Sequence, residues 1–166
     1  MTFKKSLATA LFSLVTVAAA TMPVTASAAE PIVLSTHASA CKPYGTPADA
    51  ALASIGSDQS GTYNADYTTQ IARKVICPLA RAAGTDGATV WVDGEASAEA
   101  AISCIVYSYN FDGTLRASKG TLGNKKPFDN AVQFDASEAP YWARLSMVCS
   151  LPPLMKAKLY GALVKS

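Results

Sequence analysis

The chain has 166 residues, half of them hydrophobic, and it carries 14 basic and 12 acidic side chains. No run of charge is longer than the pair Lys125 and Lys126, so the sequence lacks the dense basic character of nucleic-acid-binding proteins. The length suits one domain with a sizeable hydrophobic core, which excludes a fold held together by disulfides alone.

The N-terminus has the three-part layout of a secretory signal peptide over residues 1–28. Lys4 and Lys5 form a basic start, residues 7–20 are apolar, and residues 26–28 (Ala-Ser-Ala) are a small-x-small cleavage motif. The apolar stretch is shorter than the roughly 20 residues that a membrane-spanning helix needs. We therefore expect cleavage directly after this motif or one residue later. The mature protein would be secreted or periplasmic and would have no membrane span.

Removal of the signal peptide takes away two lysines and no acidic residue, which leaves 12 basic and 12 acidic side chains. A neutral mature chain predicts neither a nucleic-acid partner nor attraction to an anionic membrane. Residues 29–40 are mostly small and polar, and we expect a flexible N-terminal segment there. Residues 41–166 then form a single domain, which contains no internal repeat.

The first part of this domain gives mixed signals. Residues 47–55 are rich in alanine and lie between a Thr-Pro start and a glycine, which suits a short helix and an irregular strand equally. Residues 57–64 are rich in Gly, Ser, Asp and Asn and predict a loop. Residues 71–79 predict a strand, because Pro78 keeps Cys77 out of the helical region.

Alternating patterns dominate the rest of the chain. Residues 88–93 place two valines on one face and Trp91 on the other. Residues 101–111 are apolar on both faces, which is typical of a central strand. Asp112 and Gly113 follow and predict a hairpin with a two-residue type I′ turn. The same pattern predicts strands at residues 114–119, 130–135, 141–149 and 158–164.

Six to eight short strands with almost no helical periodicity predict an all-β fold. We expect an antiparallel, jelly-roll-like β-sandwich, with a small β-barrel as the alternative. The four cysteines allow three disulfide pairings, and the sequence leaves all three open. Cys104 and Cys149 lie on the apolar faces of separate strands, which favours a bridge between them in the core. Cys41 and Cys77 would then form the second bridge.

A series of motifs resembles a group of small exported bacterial proteins of unknown function. The motifs are Cys-Pro-Leu-Ala-Arg at residues 77–81, Cys-Ile-Val-Tyr-Ser-Tyr at residues 104–109 with Gly113 beyond, Cys-Ser-Leu-Pro at residues 149–152, and Gly61 with Asn64. Proteins of this group carry a signal peptide, a CP-aliphatic-x-R strand, a C-x-x-Y-S-Y hairpin and a C-x-L-P strand. The resemblance covers most of the mature chain. It implies a compact, secreted, disulfide-bonded all-β domain and implies no activity.

Little catalytic chemistry is left once the cysteines are paired. Disulfides remove any thiolate nucleophile and any zinc site of the His/Cys kind. The single histidine, His37, lies in the segment expected to be flexible, which does not suit a catalytic triad. Two facing acids would be the basis of a small secreted hydrolase, or of a calcium site. The candidate acids are Asp93, Glu95, Glu99, Asp129 and Asp135. We expect no cofactor and no bound metal.

An aromatic series is the best candidate for a binding surface. Tyr107 and Tyr109 share one face of the strand at residues 101–111, and the strand at residues 141–149 turns Tyr141 inward and Trp142 and Arg144 to its other face. If these faces are exposed, the four residues Tyr107, Tyr109, Trp142 and Arg144 form an aromatic platform for a sugar ring or a partner protein. The alternative is that the tyrosines complete a second core face.

The sequence therefore favours a non-catalytic binding or envelope-associated module. Its ligand would be a carbohydrate or another exported protein. The alternatives are the carboxylate hydrolase and an inhibitor of a foreign enzyme, a role that small rigid disulfide-bonded domains suit.

Overall fold

The computed structural model describes residues 31–45, 54–67 and 70–166. The predicted signal peptide and most of the ambiguous segment at residues 47–55 lie outside these residues. Within the described part, no helix is long and apolar enough to span a membrane. The strands in these residues are β1 (Val33–His37), β2 (Lys42–Pro43), β3 (Ile55–Ser57), β4 (Thr62–Asn64), β5 (Arg73–Leu79), β6 (Ala88–Glu95), β7 (Ile102–Tyr109), β8 (Leu115–Gly123), β9 (Phe128–Phe134), β10 (Arg144–Leu151) and β11 (Lys158–Lys165).

Two antiparallel sheets form a β-sandwich, as predicted. One sheet has the order β3-β4-β11-β6-β9, and β1 also pairs with β11; the other has the order β2-β5-β10-β7-β8. The strands β6, β7 and β10 alternate buried and less buried residues, because one face of each sheet packs on the other sheet. The predicted inward positions Val90, Val92, Ile102 and Val106 are completely buried. Each such side chain stabilises the fold by about 1.5–3 kcal/mol.

Both disulfides join the predicted partners, and both lie inside the five-stranded sheet. Cys104 and Cys149 are directly opposite each other on β7 and β10. Cys41 immediately precedes β2 and is bridged to Cys77 on β5. The bridges close loops with sequence separations of 45 and 36 residues, and each is worth about 3–4 kcal/mol in the chain-entropy model.

The expectation of a flexible segment at residues 29–40 is wrong for its second half. Val33–His37 forms β1 and pairs along its whole length with β11, from Val33 opposite Lys165 to His37 opposite Gly161. The pairing depends on a glycine, because a Cβ atom at Gly161 would lie 2.3 Å from the carbonyl oxygen of Thr36. A polar, alternating edge strand resembles a loose tail in sequence, since half of its side chains face solvent.

The predicted loop at residues 57–64 is a hairpin between β3 and β4. Only its tip is irregular, where the Asp58 carboxylate accepts hydrogen bonds from the backbone N–H groups of Ser60 and Gly61. The buried Asn64 amide donates to the carbonyls of Ile71 and Leu151. Polar residues in this stretch therefore satisfy buried backbone groups, a role that composition does not distinguish from that of a loop.

The hairpin after β7 also differs from the prediction. Asn110 and Thr114 close a three-residue loop, and the N–H of Gly113 donates to the carbonyl of Asn110 at 3.0 Å. Only Gly113 has a positive φ, 85°, whereas a type I′ turn needs two such residues. The Asp112 carboxylate accepts from the N–H and hydroxyl of Thr114. These bonds stabilise a type I turn followed by a glycine bulge.

Candidate functional site

Tyr107 and Tyr109 form an aromatic surface on the outer face of the five-stranded sheet, here called the tyrosine platform. Val106 and Ser108, which alternate with them on β7, are completely buried, so the tyrosine rings point away from the other sheet. The ring centroids lie 5.9 Å apart with an angle of 26° between the planes. Ile105, farther along the same face, is 39% exposed. Tyr107 and Tyr109 are themselves half-buried, and in the described part of the chain no strand packs over this face, so the tyrosines do not complete a second core.

The strands beside β7 place polar groups around the platform. On β10, Arg144 is the register partner of Tyr109 and Ser146 that of Tyr107. On β8, Ser118 is opposite Tyr107. Directly opposed residues lie on the same face, so a guanidinium with five donors and two short hydroxyl side chains border the rings. Three of the four residues predicted for this surface, Tyr107, Tyr109 and Arg144, are therefore brought together.

Trp142 does not join this group. It precedes β10 in a turn in which the N–H of Ala143 donates to the carbonyl of Pro140. Its ring lies edge-on against Tyr141, with centroids 4.7 Å apart. Tyr141 is 56% exposed, so the prediction that it faces the core is wrong. The strand pattern fails here because Arg81 donates to several carbonyls of this segment and holds it in a turn.

A hollow of about 340 Å³ adjoins the platform. Its lining is mainly apolar and comes from Ala40, Lys42, Ile76, Pro78, Leu145 and Ser146. Ser146 is opposite both Pro78 and Tyr107, so the hollow and the platform are neighbours on one face. No local pattern in the sequence indicates this hollow. Alternation on β5 and β10 indicates which residues face outward, but only the register between the strands brings them together.

The opposite outer face, on the six-stranded sheet, carries the acids. Asp93 on β6 is the register partner of Asp129 on β9, and the two carboxyls share a hydrogen bond. Burial raises the pKa of Asp93 to about 6, and repulsion by Asp129 adds to the shift. A hollow of about 510 Å³ is also on this face, and its lining includes Trp91 and the buried Phe134. These two rings are not recorded as stacked on each other, whereas the rings of the tyrosine platform are.

The acid pair does not have the geometry of a glycosidase. Such enzymes hold two carboxyls about 5–10 Å apart on opposite sides of the bond to be cleaved. Asp93 and Asp129 are instead in direct hydrogen-bond contact on one sheet face. Two of the other candidate acids are engaged locally: Glu95 pairs with Lys126 at 3.2 Å, and Asp135 accepts hydrogen bonds within its own turn. Glu99 is exposed in the loop between β6 and β7. Within the described residues, no group of three or more His, Cys, Asp or Glu side chains is arranged to hold a metal ion.

His37 has a structural role at the end of β1. Its Nδ1 atom accepts from the backbone N–H of Ser39 at 3.2 Å and caps a short 3₁₀ helix, Ala38–Ala40. Ser39 Oγ also lies 2.9 Å from this nitrogen. In a catalytic triad the serine contacts Nε2 and the acid contacts Nδ1. The short contact between His37 and Ser39 is therefore a local cap.

No known protein-family model matches the sequence, and no curated protein sequence matches it. Solved structures do resemble the fold. A xylan-binding module of the CBM15 type matches with a TM-score of 0.51 and 10% identity, over 81% of this chain and 96% of that one. The CBM36-1 domain of a multidomain xylanase from the hindgut metagenome of Trinervitermes trinervoides matches with a TM-score of 0.46 and 8% identity, over 81% and 97% of the two chains.

A third match is the enzymatically active domain of tailspike protein 4 of bacteriophage CBA120, with a TM-score of 0.41 and 10% identity, over 82% of this chain and 18% of that one. At such identities the likeness concerns the fold alone. The match to the xylan-binding module agrees with the two antiparallel sheets described above.

Proposed function

We propose that this protein is an exported, non-catalytic module that binds a glycan chain on the tyrosine platform. The observation that carries the proposal is the pair of neighbouring rings on an uncovered sheet face, with Arg144 and Ser146 beside them. Export would follow from the predicted N-terminal signal peptide. The two disulfides support this, since such bonds persist in oxidising compartments.

The chemistry of the surface fits a sugar. The faces of a pyranose ring present C–H groups, which pack well on an aromatic ring, and its edge presents hydroxyls, which need hydrogen-bond partners. Tyr107 and Tyr109 supply the aromatic rings, and Arg144, Ser146 and Ser118 supply the hydrogen-bond partners. A few polar groups around an apolar floor are the usual composition of a ligand site. The similarity of the fold to a xylan-binding module supports the same proposal.

The test is a binding screen on protein purified from an exporting host with its disulfides formed. Affinity gel electrophoresis against soluble polysaccharides identifies ligands, and calorimetry measures their affinity. We expect Tyr107→Ala and Tyr109→Ala each to weaken binding by about 1–2 kcal/mol, which is about tenfold, because each removes one stacking surface.

Two matched variants show whether the effect belongs to this face. Phe111→Ala removes an aromatic ring that is 78% exposed at the tip of the same hairpin. Trp91→Ala removes one from the opposite face of the sandwich. Both should bind as the unmodified protein does. Loss of binding in Trp91→Ala with full binding in both tyrosine variants would move the site to the other face and refute the platform.

A further inference from the structure

The two outer faces of the sandwich differ in charge. The outer face of the six-stranded sheet has mixed charges, with Asp93, Glu95 and Asp129 on β6 and β9 and two lysines, Lys158 and Lys165, on β11. Among the described residues, the charged side chains on the outer face of the strands of the five-stranded sheet are cations: Lys74 and Arg144 on its central strands and Lys42 on β2. A chain that is neutral overall after removal of its predicted signal therefore has a cationic face, and that face is the one with the tyrosine platform.

The three cations are spread along the strands. Lys74 is opposite Ser150 on β10, and Ser150 is six residues from Arg144 along that strand, which corresponds to about 20 Å. Lys42 is opposite Ile76, about 7 Å from Lys74 in the same direction. The platform lies at the Arg144 end, and the hollow beside Lys42 lies between the ends. One extended ligand along the strands would pass all three charges.

These three cations are unpaired within the described residues. Lys42, Lys74 and Arg144 are exposed, and none of them forms an ion pair or side-chain hydrogen bond with the described residues. The ion pairs recorded in those residues all use other cations, on Arg73, Lys119, Lys126 and Lys158. Charges without internal partners are available to an anionic ligand.

We propose that the glycan bound on this face is acidic, a polysaccharide that carries carboxylate groups on uronic-acid sugars. This inference rests on the proposed glycan-binding function and names its substrate class. The rings of Tyr107 and Tyr109 stack on the sugar, and Lys42, Lys74 and Arg144 pair with carboxylates at intervals along the chain.

Other occupants fit the face less well. A second copy of this chain would bring like charges together, because a two-fold interface repeats the same surface on both sides. A DNA duplex carries one charge per roughly 1.7 Å, far more than three cations spread over about 20 Å can neutralise. Charges several sugar units apart, with apolar surface between them, match a chain that is only partly ionic.

The experiment compares each acidic polysaccharide with its carboxyl-reduced form, which keeps the backbone and loses the charge. Polygalacturonate, alginate and glucuronoxylan are the probes, in 20 mM buffer and again with 1 M NaCl. We expect about tenfold or more tighter binding to the acidic form, since each exposed pair contributes about two- to fivefold. The preference should disappear in 1 M NaCl, where the Debye length is about 3 Å.

Two double variants with the same change in net charge locate the effect. The variant K42Q/K74Q should lose most of the preference for the acidic form and keep its binding to the reduced form within about threefold, because Arg144 stays in place beside the tyrosine platform. The control variant K125Q/K156Q removes two exposed cations elsewhere and should keep the preference. Melting temperatures of both variants verify folding.

The outcomes separate the two proposals. Equal affinity for acidic and reduced forms overturns the acidic ligand and leaves the glycan-binding function standing. Failure to bind any polysaccharide in either form overturns that function. Tighter binding to oligothymidylate, or to vesicles of anionic phospholipid, than to every acidic glycan overturns this inference in favour of a different polyanion.

Discussion

Replacement of Arg81 by alanine should be among the most damaging single changes in this protein. The guanidinium donates to the carbonyls of Pro140 at 2.6 Å, Ala139 at 2.8 Å and Gly87 at 2.9 Å, and also to that of Thr85. One side chain thus joins the loop after β5 to the turn before β10. A hydrogen bond to a charged group is worth about 1.5–3 kcal/mol. Because the turn is partly exposed, water can replace some of these hydrogen bonds in the variant. We therefore expect the free energy of unfolding to fall by about 3–4 kcal/mol.

That loss is a large part of the 5–15 kcal/mol that is typical of a domain. Urea titrations with the disulfides intact, followed by tryptophan fluorescence and by circular dichroism, measure it. Arg81→Lys keeps the charge but loses the planar fork of donors, so it should fall between the unmodified protein and Arg81→Ala. Arg116→Ala is the control, because Arg116 is exposed and its hydrogen bonds, to the backbone carbonyl of Ser137 and the side-chain oxygen of Asn110, are also exposed; we expect a loss of at most about 1 kcal/mol there. If Arg81→Ala loses no more stability than Arg116→Ala, the hydrogen bonds of Arg81 are not what holds the turn.

Two further changes test the interior and the acid pair. Asp93→Asn should stabilise the protein at pH 8 by about 1 kcal/mol. The raised pKa of Asp93, about 6, corresponds to a cost of roughly 3 kcal/mol for the ionised carboxylate. We expect a smaller gain than this because the carboxylate is partly exposed. Because the folded-state pKa of Asp93 is above the unfolded value of 3.8, its contribution to stability is fully present below pH 3.8 and is lost as the pH rises through about 6. Urea titrations of the unmodified protein should show this slope, and an equal slope in Asp93→Asn would contradict the assignment. Ser108→Ala should raise stability by about 1 kcal/mol in the same assay, because the buried hydroxyl lacks a partner; a loss of stability would mean that the hydroxyl is satisfied.

Several elements could be predicted from sequence because one physical signal dominates each. The alternation in β6 and β7 determines which side chains are buried, since a one-residue slip would expose the whole apolar set. Two cysteines on inward positions of separate strands could bridge without disturbing that pattern, and Cys104 and Cys149 do. The tyrosines followed from the same alternation: the residues between them are buried, so the rings face outward.

Other features depend on contacts between distant segments, which no local pattern contains. Strand β1 is held by pairing with β11, more than 120 residues later in the chain. The turn that carries Trp142 is imposed by Arg81, whose side-chain hydrogen bonds override the alternating pattern of residues 141–149. The hollow beside Lys42 requires the register of three strands at once. In each case the sequence contains the residues but not the partner that decides their conformation.

The disulfides connect these structural results to the proposed binding face. Both bridges lie on the inner side of the five-stranded sheet and join β2 to β5 and β7 to β10. The Cys104–Cys149 bridge sets the register that places Tyr107 opposite Ser146 and Tyr109 opposite Arg144. The Cys41–Cys77 bridge does the same for Lys42 and Ile76. A ligand that meets side chains already held in register loses less entropy on binding, so cysteines that carry no chemistry themselves contribute to affinity by making the binding face rigid.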